Sequence, residues 1–355
     1  MIESPLIYLA VSVWLALVLA PLAIRVGHLR NFLDHPGRHK RHDKPVPYLG
    51  GAALFVTFWA AVAVVGLFRG EPGLEPVESV PWIFAGSLVV FLIGLADDLR
   101  PQSAAVKLLV EAVAGLLLYA GGLKVDPISI PFMGQIALGH WSALVTMAWV
   151  IGLTNAINLI DGLDGLAAGV SLIAAVVMAG LGMAYQVGTV LTIAATLIGF
   201  LFVFLWYNRY PARLFLGDSG SLQIGFYFAI ISLAVPFKSY TAAALYLPLL
   251  ALGVPILETA VSIVRRVVKG KGIMTADRRH LFHYLAMTGM SPRKVVLVFY
   301  CLSAVFGLST LAMFLWDRVL VSVILGVFVV VILAGFLILT ANLPRQRKSG
   351  HGPDR

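Results

Sequence analysis

Polar side chains recur within residues 154–169, TNAINLIDGLDGLAAG, a stretch that lies between two long apolar segments. Four of them follow one another at a constant spacing of three: Asn155, Asn158, Asp161 and Asp164. On a straight α-helix that spacing drifts by roughly 60° per step, whereas a tighter 3₁₀ turn, which Gly162 and Gly165 would permit, brings the four onto one side. Helix capping accounts for a single residue of this kind. Placing four such polar residues at the end of a membrane span costs free energy, so we interpret them as a binding or catalytic site.

Further carboxylates occupy two other short motifs. Asp97 and Asp98 form an adjacent pair in GLADDLR, and Asp218 lies among small residues in FLGDSGS. Adjacent carboxylates repel each other unless a metal or a cation neutralises them, and on a helix they point about 100° apart. One of the pair can therefore bind a metal while the other acts as a base. The alternatives are an exposed helix end for the pair and a helix cap for Asp218. The five carboxylates together predict a site for Mg²⁺ or Mn²⁺, which prefer oxygen ligands.

Cationic and aromatic residues accompany these acids. Lys107 is predicted either to bind a phosphate oxygen as a point charge or to snorkel at the membrane boundary. Phe215 offers an aromatic face to a nucleobase, or it anchors the chain at the lipid interface. The loop after the first apolar segment contains Lys40 and His42. That loop is predicted to bind a lipid phosphate or to contact anionic head groups.

The longest basic loop covers residues 265–294. His280 and His283 stand at i and i+3, so they are predicted to share a helix face and contact one ligand. Arg278 and Arg279 raise the positive potential beside them. No cysteine or third close histidine accompanies the pair, so a zinc site is not predicted. On a helix Phe282 points roughly 100° away from His283, which predicts that its ring packs against the membrane.

The composition places these motifs in a membrane protein. The chain has 355 residues, of which 60% are hydrophobic and 12% are charged, whereas soluble domains carry about 25% charged residues. Eleven apolar segments each approach the ~20 residues that a spanning helix needs: 5–24, 46–68, 80–96, 104–122, 141–157, 166–185, 188–207, 220–236, 240–264, 294–315 and 318–341. We therefore predict an all-α polytopic protein with a single domain over 1–344 and a basic tail over 345–355. The first segment is interpreted as a retained span rather than a signal peptide.

The loops predict the orientation of the chain. Basic residues cluster in 25–44, 100–107, 209–213, 265–279 and 345–348, which all fall on one side, while the acidic loop EPGLEPVES falls on the other. The positive-inside rule then places the amino terminus outside and the carboxy terminus in the cytoplasm. The outer loop 121–140 alternates apolar residues around a turn, which predicts a hairpin. The net charge of +9 is thus assigned to membrane and phosphate contacts and not to nucleic acid.

All the polar motifs open to the predicted cytoplasmic face. An ion-coupled transporter would instead place ionisable groups near the bilayer midplane, between broken helices. Acids gathered at one membrane face are typical of an enzyme that joins a water-soluble substrate to a lipid head group. The transporter is kept as the alternative from another class, and it would move solute across vesicles.

Taken together, these motifs resemble those of the polyprenyl-phosphate N-acetylhexosamine-1-phosphate transferase family. The resemblance covers DxP…KxH…PxPxxGG at 34–51, the DD pair, NxxNxxDGxDGL at 155–166, FxGDxGS at 215–221 and the histidine loop at 277–283. The histidine loop is most similar to that of the N-acetylglucosamine branch, although Phe282 replaces its middle histidine. A role for all three loop histidines is therefore not expected here.

The resemblance implies roles for individual residues. Asp97 or Asp98 would deprotonate or orient the lipid phosphate, and Asp218 would ligate Mg²⁺, with Asp97 as a second ligand. Lys107 and the histidine loop would engage phosphates.

The remaining roles implied by the resemblance concern the nucleotide. Asn158, Asp161 and Asp164 would hold the nucleotide and metal-linked oxygens, and Phe215 would stack on uracil.

The reaction implied by the resemblance is Mg²⁺-dependent transfer of N-acetylglucosamine 1-phosphate from a UDP-sugar to undecaprenyl phosphate. UMP would be released, and a cell-surface glycan would be initiated at the inner (plasma) membrane. Transfer of phospho-N-acetylmuramoyl-pentapeptide, or of another UDP-N-acetylhexosamine, stays open. So do the acceptor chain length, the choice of base between Asp97 and Asp98, and assembly as a homodimer.

Overall fold

The computed structural model is a bundle of α-helices. It describes residues 3–36, 44–130, 134–234, 243–268, 270, 280–315, 323 and 326–327. The helices are α1 Glu3–Arg30, α2 Gly50–Arg69, α3 Val80–Leu99, α4 Ala104–Ala120, α5 Trp141–Ile160, α6 Leu166–Tyr185, α7 Gly188–Asn208, α8 Gly217–Ala234, α9 Ala243–Ala251, α10 Gly253–Val268, α11 Leu281–Met287 and α12 Pro292–Leu315. A 3₁₀ turn, Val77–Ser79, precedes α3. The predicted all-α class is confirmed.

Seven helices in the described part of the chain are long and apolar enough to cross a membrane. They cover Pro5–Arg30, Gly50–Arg69, Val77–Leu99, Trp141–Ile160, Leu166–Tyr185, Gly188–Asn208 and Pro292–Met313. Helices α4 and α8 coincide with predicted spans too, but α4 has only 17 residues and carries Lys107 and Glu111. The α8 helix begins with the polar sequence GDSGS. The protein is therefore a polytopic membrane protein, and the predicted segment 318–341 falls almost entirely outside the described residues.

Helix α8 lies at the centre of the bundle. Every residue from Ser219 to Leu233 is buried, and the helix packs against α2, α3 and α5. Its polar side chains are paired inside: Ser87 Oγ donates to Gln223 Oε1 at 3.2 Å and lies 3.1 Å from the Tyr227 hydroxyl. Because buried polar groups are costly unless they are hydrogen-bonded, these pairs fix the register of α8 against α3. The start of α8 is held in place accordingly.

The hairpin predicted for the loop 121–140 is confirmed. Strand β3, Ile128–Ile130, pairs antiparallel with β4, Gly134–Ile136. At the other end of the bundle, β1, Leu33–Asp34, pairs antiparallel with β2, Val46–Pro47. This second pair leads the chain into α2 next to the acidic motifs.

The span predicted over 240–264 is interrupted in the structure. The segment divides at Leu252 into α9 and α10. Pro255 has no backbone N–H and cannot donate to the carbonyl of Ala251, so a continuous helix would lose that hydrogen bond. The break sends α10 against α5 and brings its acid, Glu258, to the histidine segment.

Candidate active site

The acidic motifs meet at one end of the bundle, where α3 ends and α8 begins. The Asp98 carboxylate accepts hydrogen bonds from Asp218 N at 2.7 Å, Ser219 N at 3.1 Å and Ser219 Oγ at 2.7 Å. Gly217 has a φ of +73°, and a Cβ there would lie 2.6 Å from Asp98 Oδ2, so glycine is required for this approach. Both oxygens of Asp98 are thus used to hold the first turn of α8.

Lys107 joins the other two carboxylates of this end. Its Nζ lies 2.6 Å from Asp218 Oδ2 and 3.2 Å from Asp97 Oδ2. Asp97 Oδ1 accepts a hydrogen bond from Gln102 N at 2.6 Å, which fixes its rotamer. All three charged side chains keep some solvent access. Asp97 and Asp218 are therefore spaced to share one positive charge at the edge of the site.

The four polar residues at a spacing of three do not lie along one continuous tight turn. Helix α5 runs to Ile160, and a single i to i+3 bond, from Asp161 N to Asn158 O at 3.1 Å, closes it. Asn155 points to α4, where its Nδ2 donates to Glu111. Asp164 accepts from Ala212 N at 2.9 Å. A helix that persists to Ile160 spreads these side chains, as its 3.6-residue period requires.

Asp161 is surrounded by the other acids. The pKa of its carboxyl is raised to about 8, first by burial and then, in the same direction, by the charges of Asp218, Asp98 and Asp164. Its side chain retains partial solvent access. A raised carboxyl pKa marks a place where negative charge accumulates without full compensation, which is where a cation or a proton binds.

The turn after Asp161 is held from two sides. Gly165 N donates to Asn208 Oδ1 at 3.0 Å, and the Tyr300 hydroxyl donates to Gly165 O at 2.6 Å. Helices α7 and α12 therefore fix the loop between α5 and α6. Neither Asn208 nor Tyr300 belongs to the predicted site, and both act on the backbone.

The histidines approach this turn, but they do not share a helix. His280 precedes α11 with extended backbone, φ −74° and ψ 160°, and only His283 lies on the helix. Their ring centroids are nevertheless 5.9 Å apart. Glu258 Oε1 accepts from Leu281 N at 2.8 Å and lies 3.1 Å from His280 Nδ1. Because an ionised carboxylate only accepts, this hydrogen bond places a proton on His280 Nδ1.

The predicted membrane-facing position of Phe282 is wrong. The ring is buried, with its centroid 4.3 Å from that of His283 and 5.5 Å from that of His280. A Cβ on Gly162 would lie 2.3 Å from Phe282 Cζ. The ring therefore packs between the histidines and the turn that carries Asp161. Starting α11 at Leu281 rather than earlier rotates Phe282 inward.

Phe215 belongs to the same end of the site. Its backbone is fixed by Gly50 N, which donates to Phe215 O at 3.0 Å, and by Pro47 O, which accepts from Phe215 N at 2.8 Å. The side chain is partly exposed. Four further candidates lie outside the described residues: Lys40, His42, Arg278 and Arg279.

Two buried acids were missed by the sequence analysis. Glu111 lies in α4 and Glu258 in α10, and both are buried. Each is a lone carboxylate within a segment that was interpreted as an apolar span. An ionisable residue inside a span is by itself an indication of function, so this signal was present in the sequence.

The donor set fits a hard divalent cation. Among the described residues, no three His, Cys, Asp or Glu side chains are grouped closely enough to hold a metal by themselves. Mg²⁺, however, is usually bound by one or two carboxylates together with substrate phosphates. Asp97 and Asp218, which share one ammonium group, supply such a pair.

Comparison with known proteins gives consistent matches. The family model described as glycosyl transferase family 4 matches residues 80–236. A Bacillus subtilis protein named probable undecaprenyl-phosphate N-acetylglucosaminyl 1-phosphate transferase is 34% identical over 91% of this chain and 89% of its own length. Decaprenyl-phosphate N-acetylglucosaminephosphotransferase of Mycolicibacterium smegmatis is 30% identical over 94% and 85%. Phospho-N-acetylmuramoyl-pentapeptide-transferase of Enterococcus hirae is 29% identical over 85% and 96%.

Proposed function

We infer the reaction from one premise: the chain belongs to glycosyl transferase family 4. It is a multi-pass enzyme of the inner (plasma) membrane that transfers N-acetylglucosamine 1-phosphate to undecaprenyl phosphate. The observation that carries this conclusion for the site is the convergence of Asp97, Asp218 and Lys107 at one end of the bundle. A lipid phosphate and a water-soluble donor can meet there.

We propose a UDP-sugar as the donor, with UMP as the second product. An oxygen of the lipid phosphate attacks the β-phosphorus of the donor. A new P–O bond forms, the bond from that phosphorus to the bridging oxygen breaks, and UMP leaves with the electron pair. A phosphate monoester loses its second proton near about pH 6, so the acceptor is largely ionised at neutral pH. A strong base is therefore not needed.

Asp97 and Asp218 would hold Mg²⁺ in this proposal. When bound, the metal offsets negative charge on the diphosphate, as such ions do in phosphoryl transfer. Lys107 supplies a second positive charge at the same place and would exchange its contact with the carboxylates for one with a phosphate oxygen. Asp98 has both oxygens bound to the start of α8. It therefore acts by positioning Asp218, and Asp97 is the member of the pair that contacts ligands.

The donor would occupy the region between the α5–α6 turn and the histidines. Asn158 Nδ2 is buried without a hydrogen-bond partner among the described residues, which supports an acceptor atom of the substrate beside it. Asp161 would contact metal-linked oxygens, and Phe215 would stack on the base. His280 and His283 would contact the donor phosphates or sugar.

We propose eleven spans, with the amino terminus outside and this site facing the cytoplasm. The one-sided distribution of basic loops supports that orientation. Among the described residues, Arg100 and Lys107 flank the junction of α3 and α4 beside Asp97, and Arg209 and Arg213 lie between α7 and α8. UDP-sugars are water-soluble, so a site open to the cytoplasm gives them access.

The test is UMP release by the purified protein. It would be incubated with undecaprenyl phosphate, Mg²⁺ and separate UDP-sugars, including UDP-N-acetylglucosamine and UDP-N-acetylmuramoyl-pentapeptide. We expect UMP only with acceptor and Mg²⁺ present, and fastest release with UDP-N-acetylglucosamine. The Asp218→Asn variant serves as the inactive control, while Glu71→Gln, in an exposed loop of the opposite face, should behave as wild type. Preference for the pentapeptide donor would reassign the substrate, and the absence of UMP with every donor would refute the proposal.

A further inference from the structure

Glu111 is a carboxylate within the bundle whose position is not explained by the reaction as proposed. It is fully buried in α4, one helical turn after Lys107. Its Oε2 accepts a short hydrogen bond from Asn155 Nδ2 of α5. Burying a carboxyl group costs free energy of folding, so we expect the contact between Glu111 and Asn155 to have a role.

The contacts of Asn155 determine which way its amide points. Nδ2 donates to Glu111 and also to Ile151 O at 2.9 Å. An amide has two N–H donors on its nitrogen and an acceptor oxygen at the other end. A carboxylate and a carbonyl both only accept, so the nitrogen must lie on their side. Both N–H groups are then used within the protein, and the oxygen is the end that remains.

That remaining end belongs to the candidate site. Asn155 is partly exposed and lies three residues before Asn158, near the end of α5. Lys107, on the same face of α4 as Glu111, reaches Asp97 and Asp218. A ligand held by the acidic end of the bundle is therefore within reach of the Asn155 amide.

We propose that Glu111, together with the Ile151 carbonyl, fixes the polarity of Asn155, so that Asn155 offers the bound donor substrate a hydrogen-bond acceptor and not a donor. Glu111 is a positioning residue, and Asn155 selects an N–H or O–H group of the sugar nucleotide. That group lies either on the sugar, as its acetamido N–H or a hydroxyl, or on the uridine. The inference rests on the proposed function, because it needs a sugar nucleotide at this site.

An exchange of the two side chains tests the polarity directly. Asn155→Asp alone places two carboxylates in contact and removes the N–H, so kcat/KM for the donor should fall about 30-fold, mainly through KM. The double variant Glu111→Gln/Asn155→Asp restores one donor and one acceptor between these two positions at unchanged net charge, and it loses only the bond to the Ile151 carbonyl. The new amide at position 111 donates to the new carboxylate at position 155, which still presents an oxygen to the substrate. We expect the double variant to return to within about 5-fold of wild type.

The single variant Glu111→Gln gives a second measurement that does not depend on the folding of Asn155→Asp. A glutamine amide can donate as well as accept, so only the Ile151 carbonyl then still favours the original orientation of the Asn155 amide. The donor KM should rise about 3- to 10-fold at an unchanged Tm. The exposed Glu71→Gln variant controls for loss of a carboxylate and should leave KM unchanged. Inhibition by UMP separates the two sources of the selected group: its Ki rises with KM if the group is on the uridine, and stays constant if it is on the sugar.

The proposal and the function on which it rests fail in different ways. A wild-type protein that releases no UMP would refute the function. A folded double variant that stays as impaired as Asn155→Asp would show that the substrate needs an N–H from Asn155, which would overturn the inference. Equal losses of Tm and kcat in every variant, with an unchanged donor KM, would reduce Glu111 to a structural residue and also overturn it.

Discussion

Replacing Asp98 by asparagine tests the role of a carboxylate whose two oxygens both accept hydrogen bonds from the start of α8. Three groups donate to it: Asp218 N, Ser219 N and Ser219 Oγ. An asparagine amide of the same shape has one acceptor oxygen and one N–H₂ group. Whichever way it turns, at least one backbone N–H at the start of α8 then faces another donor.

The cost follows from those contacts. A buried N–H left without a partner costs about 1–3 kcal/mol. Removing a negative charge from the amino terminus of α8 costs about 0.3–1 kcal/mol more. The free energy of unfolding should therefore fall by about 1.3–4 kcal/mol in Asp98→Asn. Activity should fall as well, because Asp218 belongs to the turn that loses its support.

Asp97→Asn is the matched control, since it removes the adjacent carboxylate from the same helix. Asp97 accepts one backbone hydrogen bond, from Gln102 N at 2.6 Å, which the amide oxygen can keep. Lys107 keeps its contact with Asp218 at 2.6 Å. Thermal unfolding in detergent should show a clearly lower Tm for Asp98→Asn than for Asp97→Asn, with UMP release reduced in both. Equal Tm values, or a lower Tm for Asp97→Asn, would refute the assignment of a positioning role to Asp98.

Three further results are expected. Asp161→Asn should raise the Tm, measured in EDTA above about pH 8, and reduce UMP release. A carboxyl whose pKa is raised to about 8 stabilises the fold at low pH and loses that contribution as the pH rises toward this value. An unchanged dependence of Tm on pH would contradict this expectation. Gly162→Ala places a Cβ 2.3 Å from Phe282 Cζ and should lower both Tm and activity. Phe282→His should lower the free energy of unfolding by about 1–3 kcal/mol. Wild-type behaviour of either variant would mean that the Phe282 ring is not packed against this turn. A reporter fused after Arg355 should be cytoplasmic and one inserted at Glu75 external, and a carboxy terminus mapped outside would contradict the orientation.

The gathering of the acids at one end was predictable from the sequence. Asp97, Asp161 and Asp218 each stand at the boundary of an apolar segment. Alternation of span direction then assigns every such boundary to one face, without knowledge of the packing. The all-α class followed from composition in the same way.

The partner of each acid was not predictable. Asp97 and Asp98 are neighbours in sequence and point to different sides of α3, and the sequence contains no information on which side α8 occupies. The break at Leu252 was obscured because Pro248 and Pro255 lie in an otherwise continuous apolar run. The position of Phe282 was predicted wrongly because the start of α11 fixes which side of the helix each residue occupies. An error of one or two residues in that start moves a ring from the lipid-facing side to the core.

The carboxylates of this site divide by what they bind. Asp98 accepts hydrogen bonds from N–H groups at the start of α8, and Glu258 accepts one from the first N–H group of α11. Asp164 accepts a hydrogen bond from Ala212 N, in the loop that leads to α8. These three hold backbone in place through hydrogen bonds from N–H groups, which are made before any ligand arrives.

Asp97, Asp161 and Asp218 have a different environment. Asp97 and Asp218 bind the ammonium of Lys107, and the pKa of the Asp161 carboxyl is raised by burial and then by the neighbouring acids. Their charge can be transferred to a metal or to a phosphate-bound cation without unfolding a helix start. Fewer carboxylates are therefore available to bind a metal or a substrate than the number of acidic residues in the motifs indicates. Substitutions in the first group should change Tm together with activity, whereas those in the second should change activity with Tm retained or raised.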